Sequence, residues 1–299
     1  MINNSMYAVR DPNGFRPLCI GKIGESYFFA SETCAFDLIG AEYVRDVEPG
    51  EVVELSHGNE MRSYYPFGVR KESPCIFEYV YFARPDSSVF KQNVYPIRKN
   101  FGVELAKEYP VEADMVIPVP DSGVPAALGY SHESGLPFEY GLIRNHYVGR
   151  TFIEPEQSIR DFGVKIKLNP NTEVLKGKRV VVVDDSIVRG TTSRKLVQML
   201  RKAGAKEIHF RISAPPTIDP CYYGIDTPQK SELIAAQKTI EEIEGYLKVD
   251  SVRYLSLDGL YRAVNSKAGS FCDACFTGNY PVKIAKKKKS EIEQFELGL

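Results

Sequence analysis

The stretch Val180-Val181-Val182-Val183-Asp184-Asp185-Ser186-Ile187-Val188-Arg189-Gly190-Thr191-Thr192 decides the reading of this chain. Four consecutive valines suit a central parallel strand covered on both faces, where apolar and polar side chains need not alternate. The crevice beyond the C-terminal end of such a strand is where open α/β sheets bind ligands. Gly190 lets backbone amides come close to a ligand, Thr191 and Thr192 add hydroxyl donors, and the helix that follows favours an anion at its start. With two carboxylates ahead of it, the loop reads as a cradle for a sugar phosphate. The plainer alternative is a buried strand, a solvated Asp-Asp turn and an ordinary helix start. All the parts occurring in the order a phosphate site requires favours the ligand site.

Outward from this strand, the pattern on its C-terminal side and back to about Cys75 alternates strands with helices, which implies a parallel sheet. A helix is predicted through Val94 to Lys107, with Ile97, Phe101 and Leu105 at helical spacing, followed by an apolar strand from Met115 to Val119. Pro120-Asp121-Ser122-Gly123 closes that strand as a second anion loop. After the Val180 strand come a helix through Leu200 stopped by Gly204, a strand from Ile208 to Ile212, one helix over Ser231 to Leu247, a strand from Val252 to Leu255 and a helix from about Asp258. The first seventy residues instead have antiparallel grammar: short strands at Met6–Val9, Leu18–Ile20, Tyr27–Ala30 and Glu51–Leu55, with a turn at Asp11-Pro12-Asn13-Gly14 and a helix after Ser31.

At 299 residues the chain can hold an enzymatic core and a smaller second unit. A net charge of -1 gives no global pull on nucleic acid or an anionic membrane, so neither is an expected partner. The basic block Lys286 to Lys289 is read as a solvated tail. No apolar run reaches membrane-spanning length, and Met1-Ile2-Asn3-Asn4-Ser5 lacks the features of a signal peptide, so a cytoplasmic setting is expected. Six cysteines there point to metal or catalysis rather than disulfides. Cys272-Asp273-Ala274-Cys275 is a CxxC, while Cys75 and Cys221 each follow a proline; four such thiolates suit zinc or an iron-sulfur cluster, with the residues alone favouring zinc. Cys19 and Cys34 sit among apolar neighbours and read as small buried thiols. Arg144-Asn145-His146-Tyr147-Val148-Gly149-Arg150-Thr151-Phe152 reads either as a lid hinged at Gly149 or as a surface loop.

Taken together, these residues resemble the glutamine phosphoribosylpyrophosphate amidotransferases, a resemblance that is close and nearly continuous along the chain. Val180 to Thr192 looks like the signature of type I phosphoribosyltransferases. Pro118-Val119-Pro120-Asp121-Ser122-Gly123, Tyr147 to Phe152 and Tyr81-Phe82-Ala83-Arg84-Pro85-Asp86-Ser87 look like this family specifically. Cys75, Cys221, Cys272 and Cys275 match the ligands of the branch that carries a four-iron four-sulfur (4Fe-4S) cluster, which tips the choice from zinc to iron-sulfur. Arg10 to Leu18 and Ala30-Ser31-Glu32 resemble the last part of the family's glutaminase (Ntn-hydrolase) domain.

The resemblance implies an α/β chain with three parts: a partial glutaminase domain at residues 1–70, a phosphoribosyltransferase domain with a parallel sheet and flanking helices at 71–265, and a cysteine-containing segment with a basic tail at 266–299. It implies transfer of ammonia nitrogen to phosphoribosyl pyrophosphate (PRPP), giving 5-phosphoribosylamine and pyrophosphate at the first committed step of purine synthesis. Asp184 and Asp185 would hold the ribose hydroxyls and position magnesium together with Ser122. Ser186, Arg189, Gly190, Thr191 and Thr192 would grip the 5′-phosphate, and Tyr147 and Arg150 would act from the lid. In that lid Arg144 and His146 stand where relatives commonly have Lys and Arg, and His146 is largely neutral at cytoplasmic pH, so weaker closure is expected. The family's N-terminal cysteine nucleophile has no counterpart in this sequence, and neither Cys19 nor Cys34 matches it, so glutamine hydrolysis by this chain alone is not expected. The implied partners are PRPP, ammonia or glutamine-derived ammonia, purine nucleotides as inhibitors, further copies of the chain and a separate glutaminase polypeptide. An inactive fragment or a PRPP-binding regulatory protein are the competing readings.

Overall fold

The computed structural model describes residues 5–56, 60–68, 70–145 and 168–284. Its N-terminal part contains β1 (Met6–Val9), β2 (Cys19–Ile23), β3 (Ser26–Ala30), helix α1 (Cys34–Ile39), β4 (Glu42–Asp46), β5 (Val52–Leu55) and β6 (Met61–Tyr64). These strands form two three-stranded antiparallel sheets, ordered β1-β5-β6 and β3-β2-β4. The cluster they enclose is small, with Ala8, Ile20, Val47 and Val53 buried. The antiparallel grammar of the sequence is borne out, although β4 and β6 are additions to the strands expected from it.

The N-terminal part is fastened to the rest along the segment 75–88. The Cys75 amide donates to Phe15 O at 2.9 Å, Arg16 pairs with the buried carboxylate of Glu78 at 3.0 Å, and Glu32 Oε2 accepts from Arg84 N at 2.6 Å and Ser87 Oγ at 2.9 Å. Residues Glu78–Phe82 make a turn of π-helix, and β7 (Ser88–Val89) and β8 (Gln92–Asn93) form a short hairpin leading into α2 (Val94–Glu108). Asn93 starts α2 by accepting from the Tyr95 amide, as a helix cap does.

The remaining elements are β9 (Met115–Pro118), α3 (Val124–Ser134), β10 (Leu142–Arg144), β11 (Leu168–Pro170), α4 (Thr172–Leu175), β12 (Arg179–Asp184), α5 (Thr191–Lys202), β13 (Glu207–Ile212), α6 (Ile234–Gln237), α7 (Ile240–Leu247), β14 (Ser251–Tyr254), α8 (Leu257–Ala263) and α9 (Ala274–Thr277). Strands β14-β13-β12-β9 form a parallel sheet in that order, with Val180 opposite Met115 and Asp184 opposite Ile212. The valine run is explained by this placement. Val181 and Val183 face the cluster that holds Phe101 of α2 and Ala127 of α3, while Val180 and Val182 face Leu196, Val197 and Leu200 of α5. Each face of β12 is covered, so both alternating sets must be apolar.

Helices α2 and α3 cross at Gly102 and Gly129. A methyl group at Gly102 would overlap the Ala126 carbonyl, and one at Gly129 would overlap that of Lys99, so the two backbones are in contact. The single helix expected over Ser231 to Leu247 is instead three pieces. A 3-10 turn at Lys230–Glu232 and α6 end at Lys238, which is extended. Thr239 then starts α7 afresh: its hydroxyl accepts from the Glu242 amide while the Glu242 carboxylate accepts from the Thr239 amide. No helix among the described residues is long and apolar enough to cross a membrane.

Candidate active site

The order of the parallel sheet places a crevice above the ends of β9 and β12. After β9 the chain passes to Phe138, which bridges to Val116 on the outer side of β9, and then returns to β12 on the other side, continuing to β13 and β14. Neighbouring strands whose connections leave in opposite directions open a cleft at their C-terminal ends. The two loops singled out in the sequence are the ones that rim it.

On the β12 side, Asp184 ends the strand and Asp185 follows it, 6% exposed. The Asp185 amide donates to Asp184 Oδ1 at 2.9 Å, Ser213 N donates to Asp184 O at 2.9 Å, and Ser186 Oγ donates to Asp185 Oδ2. Burial, then the neighbouring Asp185 charge, hold the Asp184 carboxyl well above the usual carboxylate range. Two adjacent carboxyls at a strand end can take a cation or hydroxyl donors.

Ile187 anchors the loop in the core, and Val188 O accepts from Ile234 N at 2.9 Å. Arg189 is exposed and its Nε donates to Glu232 Oε1 at 3.0 Å. Gly190, at φ 73°, is the residue before the first turn of α5. A side chain there would meet Ile234 Cδ1 at 2.8 Å as well as adopting a left-handed backbone, so both space and conformation ask for glycine. Thr191 and Thr192 follow, exposed, in the first turn. The first-turn amides and the Thr191 and Thr192 hydroxyls, without a hydrogen-bond partner among the described residues, make the start of this 12-residue helix an anion-binding end.

On the β9 side, Val119 N donates to Val183 O at 2.8 Å, which fixes the Pro120–Gly123 loop against the end of β12. The Pro120-Asp121 peptide is cis, Asp121 is paired with Arg144, and Ser122 is half-buried beside them. Ser122 and the Asp184–Thr192 loop therefore stand at the same end of neighbouring strands. Of the expected lid, Arg144 is described, ending β10 and paired with Asp121, whereas His146, Tyr147, Arg150 and Phe152 lie outside the described residues, as does the basic block from Lys286.

The four cysteines set apart by their spacing gather elsewhere. Cys75, Cys221, Cys272 and Cys275 line one pocket with Phe77, Ile225 and Val188 of the phosphate-type loop. Cys75 and Cys272 are bridged as in a parallel sheet, with Cys272 N donating to Pro74 O at 2.8 Å and Ile76 N to Cys272 O at 3.2 Å. Burial pushes the Cys75 thiol up to about 12 and the Cys272 thiol to about 11, and the neighbouring cysteines add to the rise at both. Among the described residues no three His, Cys, Asp or Glu side chains converge as a single ion would require. Cys19 and Cys34 are buried in the N-terminal part, where Cys19 Sγ donates to Ala30 O at 3.2 Å.

Residues 96–231 match the phosphoribosyl transferase domain family. The chain carries a phosphoribosyl transferase domain. The chain as a whole is 53% identical to an amidophosphoribosyltransferase of Methanocaldococcus jannaschii over 302 residues, covering 96% of the chain and 64% of that relative. It is 54% identical to one of Rhizobium etli, covering 96% and 60%. Among solved structures, glutamine PRPP amidotransferase from B. subtilis, complexed with ADP and GMP, superimposes with a TM-score of 0.87 at 50% identity, over 96% of the chain and 64% of that protein. The chain thus spans less than two thirds of the length of these relatives.

Two contacts of this transferase domain were not foreseen. Glu232 orients Arg189, and it is held in turn by the turn it helps to cap, its Oε2 accepting from Gln229 N at 3.2 Å. The Gln229-Lys230-Ser231-Glu232 spacing is the sequence signal that could have marked it. The other is Arg98, in the second turn of α2, which is buried and donates to the Tyr79 and Ala83 carbonyls at 2.7 and 2.6 Å. Nothing local in the sequence announces it.

Proposed function

We propose that this chain transfers ammonia to C1 of PRPP, forming the C1–N bond of 5-phosphoribosylamine as the C1–oxygen bond to pyrophosphate breaks and the nitrogen gives up a proton. The observation that carries this is the pairing, at one sheet crevice, of the Asp184-Asp185 acids with the Gly190-Thr191-Thr192 helix start, and of both with the Ser122 loop. In this reading Asp184 and Asp185 accept the ribose hydroxyls, and Ser186, Arg189, Gly190, Thr191 and Thr192 bind the 5′-phosphate. Ser122 faces the departing pyrophosphate, and Tyr147 and Arg150 exclude water from the sugar carbon. Magnesium, held by Asp184, Asp185 and Ser122 with substrate oxygens completing its shell, would neutralise charge on the leaving pyrophosphate. Glutamine becomes a nitrogen source where a glutaminase, on the same or a separate polypeptide, delivers ammonia to this site. The N-terminal sheets at residues 1–70 are the piece of such a unit in this chain, beside a transferase at 71–265 and a cysteine-bearing segment at 266–299. Purine nucleotides, like the ADP and GMP of the B. subtilis relative, are expected inhibitors, and further copies of the chain expected partners.

For the cysteine pocket we propose a 4Fe-4S cluster held by Cys75, Cys221, Cys272 and Cys275. Zinc would require its sulfurs about 2.3 Å from one point, whereas a cluster spreads its thiolates over a wider frame. The six free thiols also suit a reducing, cytoplasmic compartment. The cluster would supply thiolate–iron bonds tying the C-terminal segment to Cys75 and Cys221, far away in sequence, which constrains the unfolded chain strongly. Cys272→Ser is expected to lose bound iron and to lower the melting temperature by roughly 5 °C or more. Iron content and melting equal to the parent's would contradict the assignment.

The reaction itself is tested by pyrophosphate release from PRPP with magnesium and ammonia, and separately with glutamine. Turnover with ammonia is expected. Binding of PRPP with no turnover would favour a regulatory protein instead.

A further inference from the structure

Three consecutive residues of the phosphate loop rest on the segment 232–246. Val188 O accepts from Ile234 N at 2.9 Å, and Arg189 Nε donates to Glu232 Oε1 at 3.0 Å. Gly190 packs so closely that a β-carbon there would lie 2.8 Å from Ile234 Cδ1 and 3.3 Å from Tyr246 Cε1. A fourth tie comes from α5. Its Arg194 amide donates to Gly190 O at 2.9 Å, and the Arg194 guanidinium lies over the Tyr246 ring, 4.8 Å from the centroid. Residues four apart share a helix face and side chains lean toward the N-terminus, which carries Arg194 back toward the glycine. Arg194 has no ion pair among the described residues, and its buried Nε has no hydrogen-bond partner among them, so the aromatic face is what holds it. Tyr246 itself is placed from outside the loop. It stands in the last turn of α7, which has its own cap at Thr239 and buries Ile243 and Leu247 in the cluster that holds Leu196 and Val197 of α5.

We infer that Tyr246 is a positioning residue for the 5′-phosphate: its ring, set between Gly190 and the Arg194 guanidinium, is the wall that keeps the left-handed glycine in place and aims the first amides of α5. The identity of that anion rests on the proposed function. Donors hold an anion well only when their geometry is fixed before it arrives. Glycine has the backbone freedom to leave φ 73°, so something outside the loop must hold it there. An aromatic side chain suits the place, because one flat body meets the glycine along its edge and the guanidinium on its face. The Ser122 loop is held by other means, Val119 N on Val183 O and Asp121 on Arg144. The two anion subsites are therefore braced separately.

That separation is what the experiment reads. Dissociation constants for ribose 5-phosphate and for magnesium pyrophosphate are measured by calorimetry on the parent, Tyr246→Ala and Tyr246→Phe. Tyr246→Ala is expected to weaken ribose 5-phosphate about tenfold and to leave magnesium pyrophosphate within about twofold of the parent. Tyr246→Phe keeps both edge and face and should bind both ligands within about twofold of the parent. Parent-like binding of ribose 5-phosphate by Tyr246→Ala overturns the inference. So does equal weakening of the two ligands, which means a loosened fold, and so does a loss in Tyr246→Phe as large as in Tyr246→Ala, which means that the hydroxyl and not the ring matters. If Tyr246→Ala does not fold, Tyr246→Leu supplies bulk without an aromatic face, with the same selective loss expected; failure of both to fold while Tyr246→Phe folds leaves a role in the fold alone and also overturns it. A parent that binds ribose 5-phosphate but releases no pyrophosphate from PRPP with ammonia counts against the proposed reaction and leaves the comparison of Tyr246 variants standing.

Discussion

Asp185→Asn is expected to lower PRPP-dependent pyrophosphate release by about 10²–10³-fold, while the folded chain melts at the parent's temperature or above it. The two halves of that result have one cause. Asp185 is nearly buried and sits one residue from Asp184, whose carboxyl is held well above the usual range by burial and by the Asp185 charge. A carboxyl raised in the folded state costs stability once the pH exceeds its unfolded value, about 3.9 for Asp, and the cost grows until the folded group ionises. Removing the Asp185 charge lessens this cost, so the gain in stability should be absent near pH 3 and should grow as the pH rises toward 7. Catalysis needs the opposite, two acids poised together. A loss of melting temperature in step with the loss of turnover would show that Asp185 serves the fold instead.

The largest effect on stability is expected far from the chemistry. Gly102→Ala places a methyl group against the Ala126 carbonyl at the crossing of α2 and α3, where the obstacle is backbone and cannot rotate away. Overpacking of this kind costs about 3 kcal/mol or more, which for a chain of this size is a fall in melting temperature on the order of 5–10 °C. Gly129→Ala strains the same crossing from the other helix, so the double variant should be less destabilised than the sum of the two, because one separation of the helices relieves both overlaps. Thermal melts of the three variants check this. A change below about 1 kcal/mol for Gly102→Ala would mean that the helices pack less closely than described. The crossing matters for the site because α3 begins directly after the Ser122 loop.

What the sequence disclosed follows from how local each feature is. The Val180–Asp185 strand and the Gly190-Thr191-Thr192 turn are contiguous, and their physical demands, burial on both faces and a left-handed residue ahead of a helix, are written in the residues themselves. The gathering of Cys75 with Cys221, Cys272 and Cys275 was legible only through their odd spacing and through family resemblance. The Arg189–Glu232 and Glu32–Ser87 contacts join residues tens of positions apart, and no periodicity encodes them. Strand β4 was missed because Glu42, Tyr43 and Val44 are all exposed, which removes the alternation that marks a half-buried strand. The long helix over Ser231 to Leu247 was over-read because Leu233, Ile240, Ile243 and Leu247 keep helical spacing across a break. Thr239 and Glu242, three apart, were the available warning.

The most direct measurement is a calorimetric titration of the folded chain with PRPP, with and without magnesium, repeated on Asp185→Asn. The account predicts one saturable site per chain whose heat requires magnesium and is lost in the variant. A well-folded sample that gives no heat with PRPP and magnesium, or an Asp185→Asn chain that binds as the parent does, would contradict the claim that the crevice above β9 and β12 holds the activated sugar.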